Sequence, residues 1–209
     1  MKRVFVSGIS TGVGKTVVSA GLVNLWGAHY WKPVQSGTES EGDLDDSPAT
    51  DSEVISRLTR CKVIPEAYAL KAPLSPHAAA ELESLSINLD TINLPPVDGP
   101  FVVEGAGGLL VPLNERELQV DLIKKFNLPV VLVSRHYLGS INHTLLSLEA
   151  LQSRGIPLYG VVFVGEENEA TERVILARVD VQCVRIPIFK RINTTTVATI
   201  SEHFERAGF

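Results

Sequence analysis

Apolar residues rich in Val, Ile and Phe recur in short runs along the chain, at residues 4–6, 30–34, 101–103, 130–133, 161–164 and 184–188. Longer stretches of helical periodicity separate most of them. This alternation predicts an α/β fold: a doubly wound, mostly parallel sheet with helices on both faces. The runs are nearly all apolar rather than alternating, as central strands covered on both faces require. Residues 139–155 show the helical half, with Ile141, Leu145, Leu148 and Leu151 on one stripe. Gly155 suits a left-handed C-terminal position and Pro157 prevents continuation, so a strand follows over 158–164. Residues 38–50 are acidic and turn-rich, and 88–100 are punctuated by Pro95, Pro96, Gly99 and Pro100, so both are expected as surface loops. No repeat or low-complexity linker marks a boundary, and one domain over 1–209 is expected.

Composition narrows the partners. Apolar residues make up 44% and charged residues 21%, which excludes disordered, fibrous and membrane classes. With 19 Lys and Arg against 24 Asp and Glu, the formal net charge is −5, and no basic run forms a stripe that would track phosphates. Nucleic acid and anionic membrane are therefore excluded as expected partners. The apolar run after Met1-Lys2-Arg3 is cut short by Ser7 and Gly8, too soon for a signal-peptide core. Cys61 and Cys183 lie far apart without a ligand pattern, so neither zinc nor a disulfide framework is expected. Cytoplasmic location is the expectation.

The strongest chemical signal is Gly8-Ile9-Ser10-Thr11-Gly12-Val13-Gly14-Lys15-Thr16, which follows the first apolar run and opens a helical pattern to about Trp26. Strand, glycine loop and helix together make a phosphate-binding arrangement of the P-loop NTPase kind. Backbone N–H groups and the helix N-terminus face an anion, Lys15 reaches the terminal phosphates, and the Thr16 hydroxyl suits Mg²⁺. The generic motif has four residues between its first glycine and the Gly-Lys pair, one fewer than here. A glycine turn without a ligand is the plain alternative.

Other candidates fall at strand ends. Lys32 stands inside an apolar run, followed by Pro33, Val34, Gln35, Ser36 and Gly37. A lysine there is ordinarily an edge or snorkelling residue, but an open parallel sheet puts its ligand crevice at the carboxyl ends of strands, within reach of the phosphate loop. Glu104 ends the 101–103 run and precedes Gly105, Ala106, Gly107 and Gly108, where an acidic Mg²⁺ partner is expected. Asp51 opens a helix with the stripe Val54, Ile55 and Leu58. It reads first as an acid complementing the helix dipole, with a metal ligand as the alternative. Ser75-Pro76-His77 reads as a helix start, with Ser75 at the cap.

Taken together, these segments resemble the dethiobiotin synthetase family over residues 4 to about 188. The carriers are residues 8–16 with the extra loop position, Lys32-Pro33-Val34 with Ser36-Gly37, Asp51, Ser75-Pro76-His77, Glu104 with its glycine loop, and Leu138-Gly139-Ser140-Ile141-Asn142-His143. The resemblance implies ATP- and Mg²⁺-dependent closure of a ureido ring. One amine of 7,8-diaminopelargonate captures CO₂ as a carbamate, ATP phosphorylates it, and the second amine attacks the mixed anhydride. It implies Thr16, Asp51 and Glu104 at Mg²⁺, Lys15 and Lys32 as the catalytic cations, and Thr11 and Ser36 at the diamine. The implied nucleotide set is Gly12, Val13, Gly14, Lys15, Thr16, Val17, Asp51, Glu104, Gly105, Ala106, Gly107, Pro187 and Ile188. A homodimer is implied too, with Ser140, Ile141 and Asn142 receiving the substrate carboxylate of the other subunit.

A regulatory ATPase switch of the MinD/ParA kind is the alternative, but those proteins carry a second lysine early in the phosphate loop, where Ile9 stands here. Within the dethiobiotin synthetase resemblance there is one departure. Many members place an asparagine at the end of the fifth strand for the adenine edge, where this chain has Val164 and Gly165.

Overall fold

A computed structural model of the chain describes residues 2–39 and 50–209. Most of the acidic 38–50 stretch lies outside the described residues. The strands are β1 (Arg3–Gly8), β2 (His29–Trp31), β3 (Val34–Ser36), β4 (Val63–Ile64), β5 (Tyr68–Leu70), β6 (Phe101–Gly108), β7 (Val130–Arg135), β8 (Leu158–Val164) and β9 (Gln182–Ile186). The helices are α1 (Lys15–Trp26), α2 (Asp51–Thr59), α3 (Pro76–Leu82), α4 (Gln119–Phe126), α5 (Ser140–Ser153), α6 (Glu169–Leu176) and α7 (Thr194–Arg206).

Seven strands form one sheet in the order β4-β2-β6-β1-β7-β8-β9, with every pairing parallel. The chain departs from β1 to both sides, so the crevice at the carboxyl ends of β1, β6 and β7 is a topological switch point, where open α/β sheets take their ligands. Strand alternation divides the core into two layers. Phe5, Phe101, Val103, Val130 and Leu132 pack against α3, α4, α5 and α6, while Val4, Val6, Val102, Val131 and Val133 pack against α1, α2 and α7. Helices cover both faces, as the uninterrupted apolar runs predict.

Two expectations are corrected and a third is refined. The 30–34 run is not one strand: β2 stops at Trp31, and Lys32 and Pro33 carry the chain out to β3, which among the described residues pairs with β5 alone. Pro33 has no N–H to give a ladder, and its carbonyl accepts instead from Ala67 and Tyr68 at 2.9 and 3.0 Å. The 184–188 run likewise ends at Ile186, before Pro187. Residues 88–100 do form a surface loop, with Asn88, Asp90, Asn93 and Asp98 exposed, but Leu89, Ile92 and Val97 pin it into the larger core around a short 3₁₀ turn.

One close approach is decisive for packing around the site helix. A Cβ at Gly21 of α1 would stand 2.4 Å from Ile200 Cγ2 and 2.9 Å from Phe204 Cε2 of α7. Gly21→Ala is therefore expected to destabilise the fold by about 1–3 kcal/mol despite its better helix propensity. A lowered urea midpoint with unchanged slope would show it, and an unchanged midpoint would mean that α7 shifts freely.

Candidate active site

The phosphate loop is built as its residues demand. Gly12 (φ 71°) and Gly14 (φ 101°) occupy left-handed backbone that other side chains rarely adopt, while Val13 between them is buried in the core and anchors the loop. Gly14 caps α1 without a side-chain partner, so the first N–H groups of α1 stay available to an anion. Lys15 is buried and its Nζ donates to the Ser10 carbonyl at 3.0 Å, folding back over the loop.

Sheet register gathers the rest. Val6 of β1 pairs with Glu104 of β6, and Trp31 of β2 pairs with Val103, which brings Lys32 beside Glu104. Lys32 Nζ donates to Asp51 Oδ2 and lies 3.7 Å from Glu104 Oε1. Thr16 Oγ1 donates to Asp51 Oδ1 at 2.7 Å and is 3.0 Å from Glu104 Oε1. Two carboxylates and one hydroxyl thus turn oxygen atoms toward a single point, the hard donor set that Mg²⁺ takes beside substrate phosphates. Asp51 is free for this because α2 is capped without it. The Thr50 hydroxyl accepts from Glu53 N at 3.2 Å, and Glu53 returns a carboxylate to Thr50 N at 2.8 Å.

The charges hold one another in place. Burial opposes the positive charge of Lys32, but Glu104 and Asp51 together outweigh it and hold its pKa above the ordinary lysine value. Burial likewise works against the Asp51 carboxylate, and Lys32 and Thr16 overcome it, so Asp51 is held below its usual value. Glu104 is pushed up, chiefly by burial and further by Asp51, against the pull of Lys32. Lys15 is lowered by burial and by Lys32, against the attraction of Glu104. Among the described residues Lys15 has no ion-pair partner within 4 Å, so an incoming polyphosphate supplies the counter-charge it lacks.

A protein-family model described as an AAA domain matches residues 2–201. An ATP-dependent dethiobiotin synthetase of Agrobacterium fabrum is 45% identical, with the match covering 99% of this chain and 96% of that protein. This chain belongs to the dethiobiotin synthetase family. A second such synthetase, from Rhodopseudomonas palustris (strain HaA2), is 47% identical over 91% of this chain and 85% of its own length. Among solved structures, a ParA family ATPase from Chlorobium tepidum TLS aligns at a TM-score of 0.49 with 15% identity, covering 99% of this chain and 93% of that one.

Around the charged cluster, the other positions that the dethiobiotin synthetase resemblance singles out divide among three cavities and the end of β3. Gly12, Val13, Gly14, Val17, Pro187 and Ile188 line a cavity of about 190 Å³, closed by Val164 and Ile186. Thr11 lines a separate cavity of about 360 Å³ with Ser10, Gly108 and His143. Ser140, Ile141 and Asn142 start α5 on the wall of a third cavity, of about 780 Å³, away from Lys15 and Lys32 of their own chain. Ser36 ends β3, and its buried Oγ finds no partner among the described residues. The neighbouring Gln35 accepts from Asp51 N at 3.3 Å.

The glycine loop after Glu104 has two purposes rather than one. A Cβ at Gly105 would meet the Phe5 ring at 2.7 Å, so this glycine serves core packing. Gly107 (φ 65°) sits in left-handed backbone between Val111, whose Cγ2 a Cβ would meet at 2.7 Å, and the phosphate loop, where that Cβ would stand 3.4 Å from Thr11 Oγ1. Ala106 N donates to Gln119 Oε1 at 3.3 Å, tying the loop to α4. His77 lies apart from the cluster, on α3, with its N–H on the Pro112 carbonyl at 3.4 Å.

Sequence reasoning missed several residues here. Arg135 ends β7, lines the 190 Å³ cavity and donates to the Gly12 carbonyl at 3.2 Å. Beside the 780 Å³ cavity, which His136 lines, the buried Glu172 receives both Arg185 Nε (3.0 Å) and Nη2 (2.6 Å), and lies 3.0 Å from His136 Nε2. No motif marks such a bracket, because its members come from α6, β9 and the end of β7. Ser19 and Tyr30, which donate to Glu104 at 2.7 and 3.0 Å, read in sequence as ordinary helix and strand residues.

Proposed function

We propose that this chain is an ATP-dependent dethiobiotin synthetase that works as a cytoplasmic homodimer on 7,8-diaminopelargonate, CO₂ and ATP. The observation that carries this reading is the convergence of Lys32, Thr16, Asp51 and Glu104 beside the phosphate loop, in a family whose named relatives carry that activity. Phosphoryl transfer asks a protein mainly for positioning and fixed positive charge. Lys15 and the α1 N-terminus hold the β- and γ-phosphates. Lys32 faces the carbamate and the transferring phosphoryl, balancing charge on both. The carbamate oxygen attacks the γ-phosphorus and ADP leaves; the second amine then attacks the carbamoyl carbon, and phosphate departs as the ring closes. Mg²⁺ fits the oxygen donors of Thr16, Asp51 and Glu104, and supplies charge neutralisation on the phosphates when bound. Thr11 and Ser36 serve the diamine end.

The purified chain, given diaminopelargonate, bicarbonate, Mg²⁺ and ATP, is expected to yield dethiobiotin by mass with one ADP for each product. ATP turnover without that product would overturn the assignment.

The same reading makes a prediction about the base. The 190 Å³ cavity is walled mainly by Val17, Val164, Ile186 and Ile188; its one charged lining side chain, Arg135, is turned to the Gly12 carbonyl of the phosphate loop, and the carbonyls of Val164 and Ile186 already accept from His136 N and Gly165 N at 3.0 Å. A site discriminates strongly when a wrong partner leaves its buried polar groups unpaired, and aliphatic walls impose no such penalty. ATP, GTP and CTP are expected to differ in kcat/KM by no more than about tenfold, or 1.4 kcal/mol. An ATP preference above about 100-fold would show that another group reads adenine.

A further inference from the structure

Glu104 is only 1% exposed, and its hydrogen bonds and ion pair divide between its two oxygens. Oε1 faces Thr16 Oγ1 and Lys32 Nζ, the side of the cluster open to the nucleotide. Oε2 accepts from Ser19 Oγ at 2.7 Å and from Tyr30 OH at 3.0 Å, both themselves fully buried. The two donors stand on rigid elements. Ser19 lies one turn beyond Thr16 on α1, and Tyr30 lies on β2, paired with Val102 of the strand that carries Glu104. The Ser19 hydroxyl points at the carboxylate rather than back to its own helix, and a buried tyrosine hydroxyl needs a partner that Glu104 provides.

We propose that Tyr30 and Ser19 are positioning residues, which lock the Glu104 carboxylate so that Oε1 alone is presented to the metal. The terminal torsion of a glutamate is broad and nearly two-fold, so an unrestrained carboxylate would swing between its oxygens or offer both. Two hydrogen bonds on Oε2 remove that freedom. Outer partners of metal ligands commonly govern metal affinity by 10–100-fold, through orientation rather than contact. This inference rests on the proposed role of Glu104 as a metal partner.

The test reads metal binding directly, with Mn²⁺ as the probe on the protein–ADP complex and free Mn²⁺ measured by electron paramagnetic resonance. Tyr30→Phe keeps the buried ring and removes only the hydroxyl. It is expected to weaken Mn²⁺ at least about tenfold, with ADP affinity in the absence of metal unchanged. Ser19→Ala is expected to do the same and carries the test if Tyr30→Phe does not fold. In a Glu104→Gln background, Tyr30→Phe should add less than about twofold, because the group it positions is gone. Persistence of the full Tyr30→Phe effect in that background would assign it to general loosening and overturn the proposal. Unchanged Mn²⁺ affinity in both single variants, with Glu104→Gln weakened, would overturn the positioning role alone. Unchanged affinity in Glu104→Gln itself would overturn the metal assignment and this inference with it.

Discussion

Lys32→Ala is expected to reduce turnover at saturating ATP by about 100- to 1,000-fold, corresponding to roughly 2.7–4 kcal/mol of lost charge stabilisation. Lys32 is the cation that both carboxylates of the cluster share, bonded to Asp51 and 3.7 Å from Glu104. It stands where negative charge on carbamate and phosphoryl would otherwise meet two carboxylates. Removing it leaves those carboxylates repelling each other as well as the substrate, so the loss falls on kcat even when nucleotide binding is saturated. Lys32→Gln keeps a donor toward Asp51 without the charge and is expected to lose nearly as much, which separates charge from geometry. Far-UV circular dichroism and a urea transition check that the fold survives. Near-normal turnover in Lys32→Ala, with Mg²⁺ and ATP saturating, would remove Lys32 from the reaction.

The sequence makes some of this arrangement readable and hides the rest for identifiable reasons. Lys15 and Thr16 are readable because the phosphate loop is local: strand, glycines and helix start fall within about a dozen residues, and each residue type has its own duty there. Asp51 is ambiguous because an acid at a helix start already has a helical reason to be there. Yet Thr50 and Glu53 carry the T-x-x-E spacing of a capping box, a signal that the cap was provided for without Asp51. Tyr30 and Ser19 leave no trace of their role, since a tyrosine in a strand and a serine in a helix are unremarkable until β2 and α1 are laid on either side of β6. The buried anchors of the 88–100 loop are hidden for a different reason. Prolines and glycine mark where the chain turns, and Pro95 and Pro96 break the helical stripe that the i, i+3, i+8 spacing of Leu89, Ile92 and Val97 would otherwise announce, so no period signals their burial.

Mixing two inactive variants is expected to restore activity, because the proposed homodimer builds each site from both chains. Several large side chains on and around the start of α5 are left to solvent: Leu138 is fully exposed, and Leu110, Tyr137, Ile141 and Leu146 are substantially so. Apolar surface of this kind is characteristic of a face that another subunit covers. The N-terminus of α5 on that face suits a carboxylate through its dipole and the N–H groups of Ile141 and Asn142, the Ser140 N–H being held by the Tyr137 carbonyl at 3.0 Å. Lys15→Ala disables the phosphate loop. Asn142→Asp places a negative charge in the first turn of α5, which favours the helix but repels a substrate carboxylate, so the fold is preserved while binding fails. Each variant alone should fall at least about 100-fold. In a heterodimer of the two, one site receives both lesions and the other receives none, and random exchange at equal concentrations puts about half of the dimers in that form. About a quarter of the sites are then whole, so the mixture should recover about a quarter of wild-type turnover, more than twentyfold above either parent. Heterodimers that form, as shown by differential tagging, yet stay at the parental level would mean that each chain completes its own site.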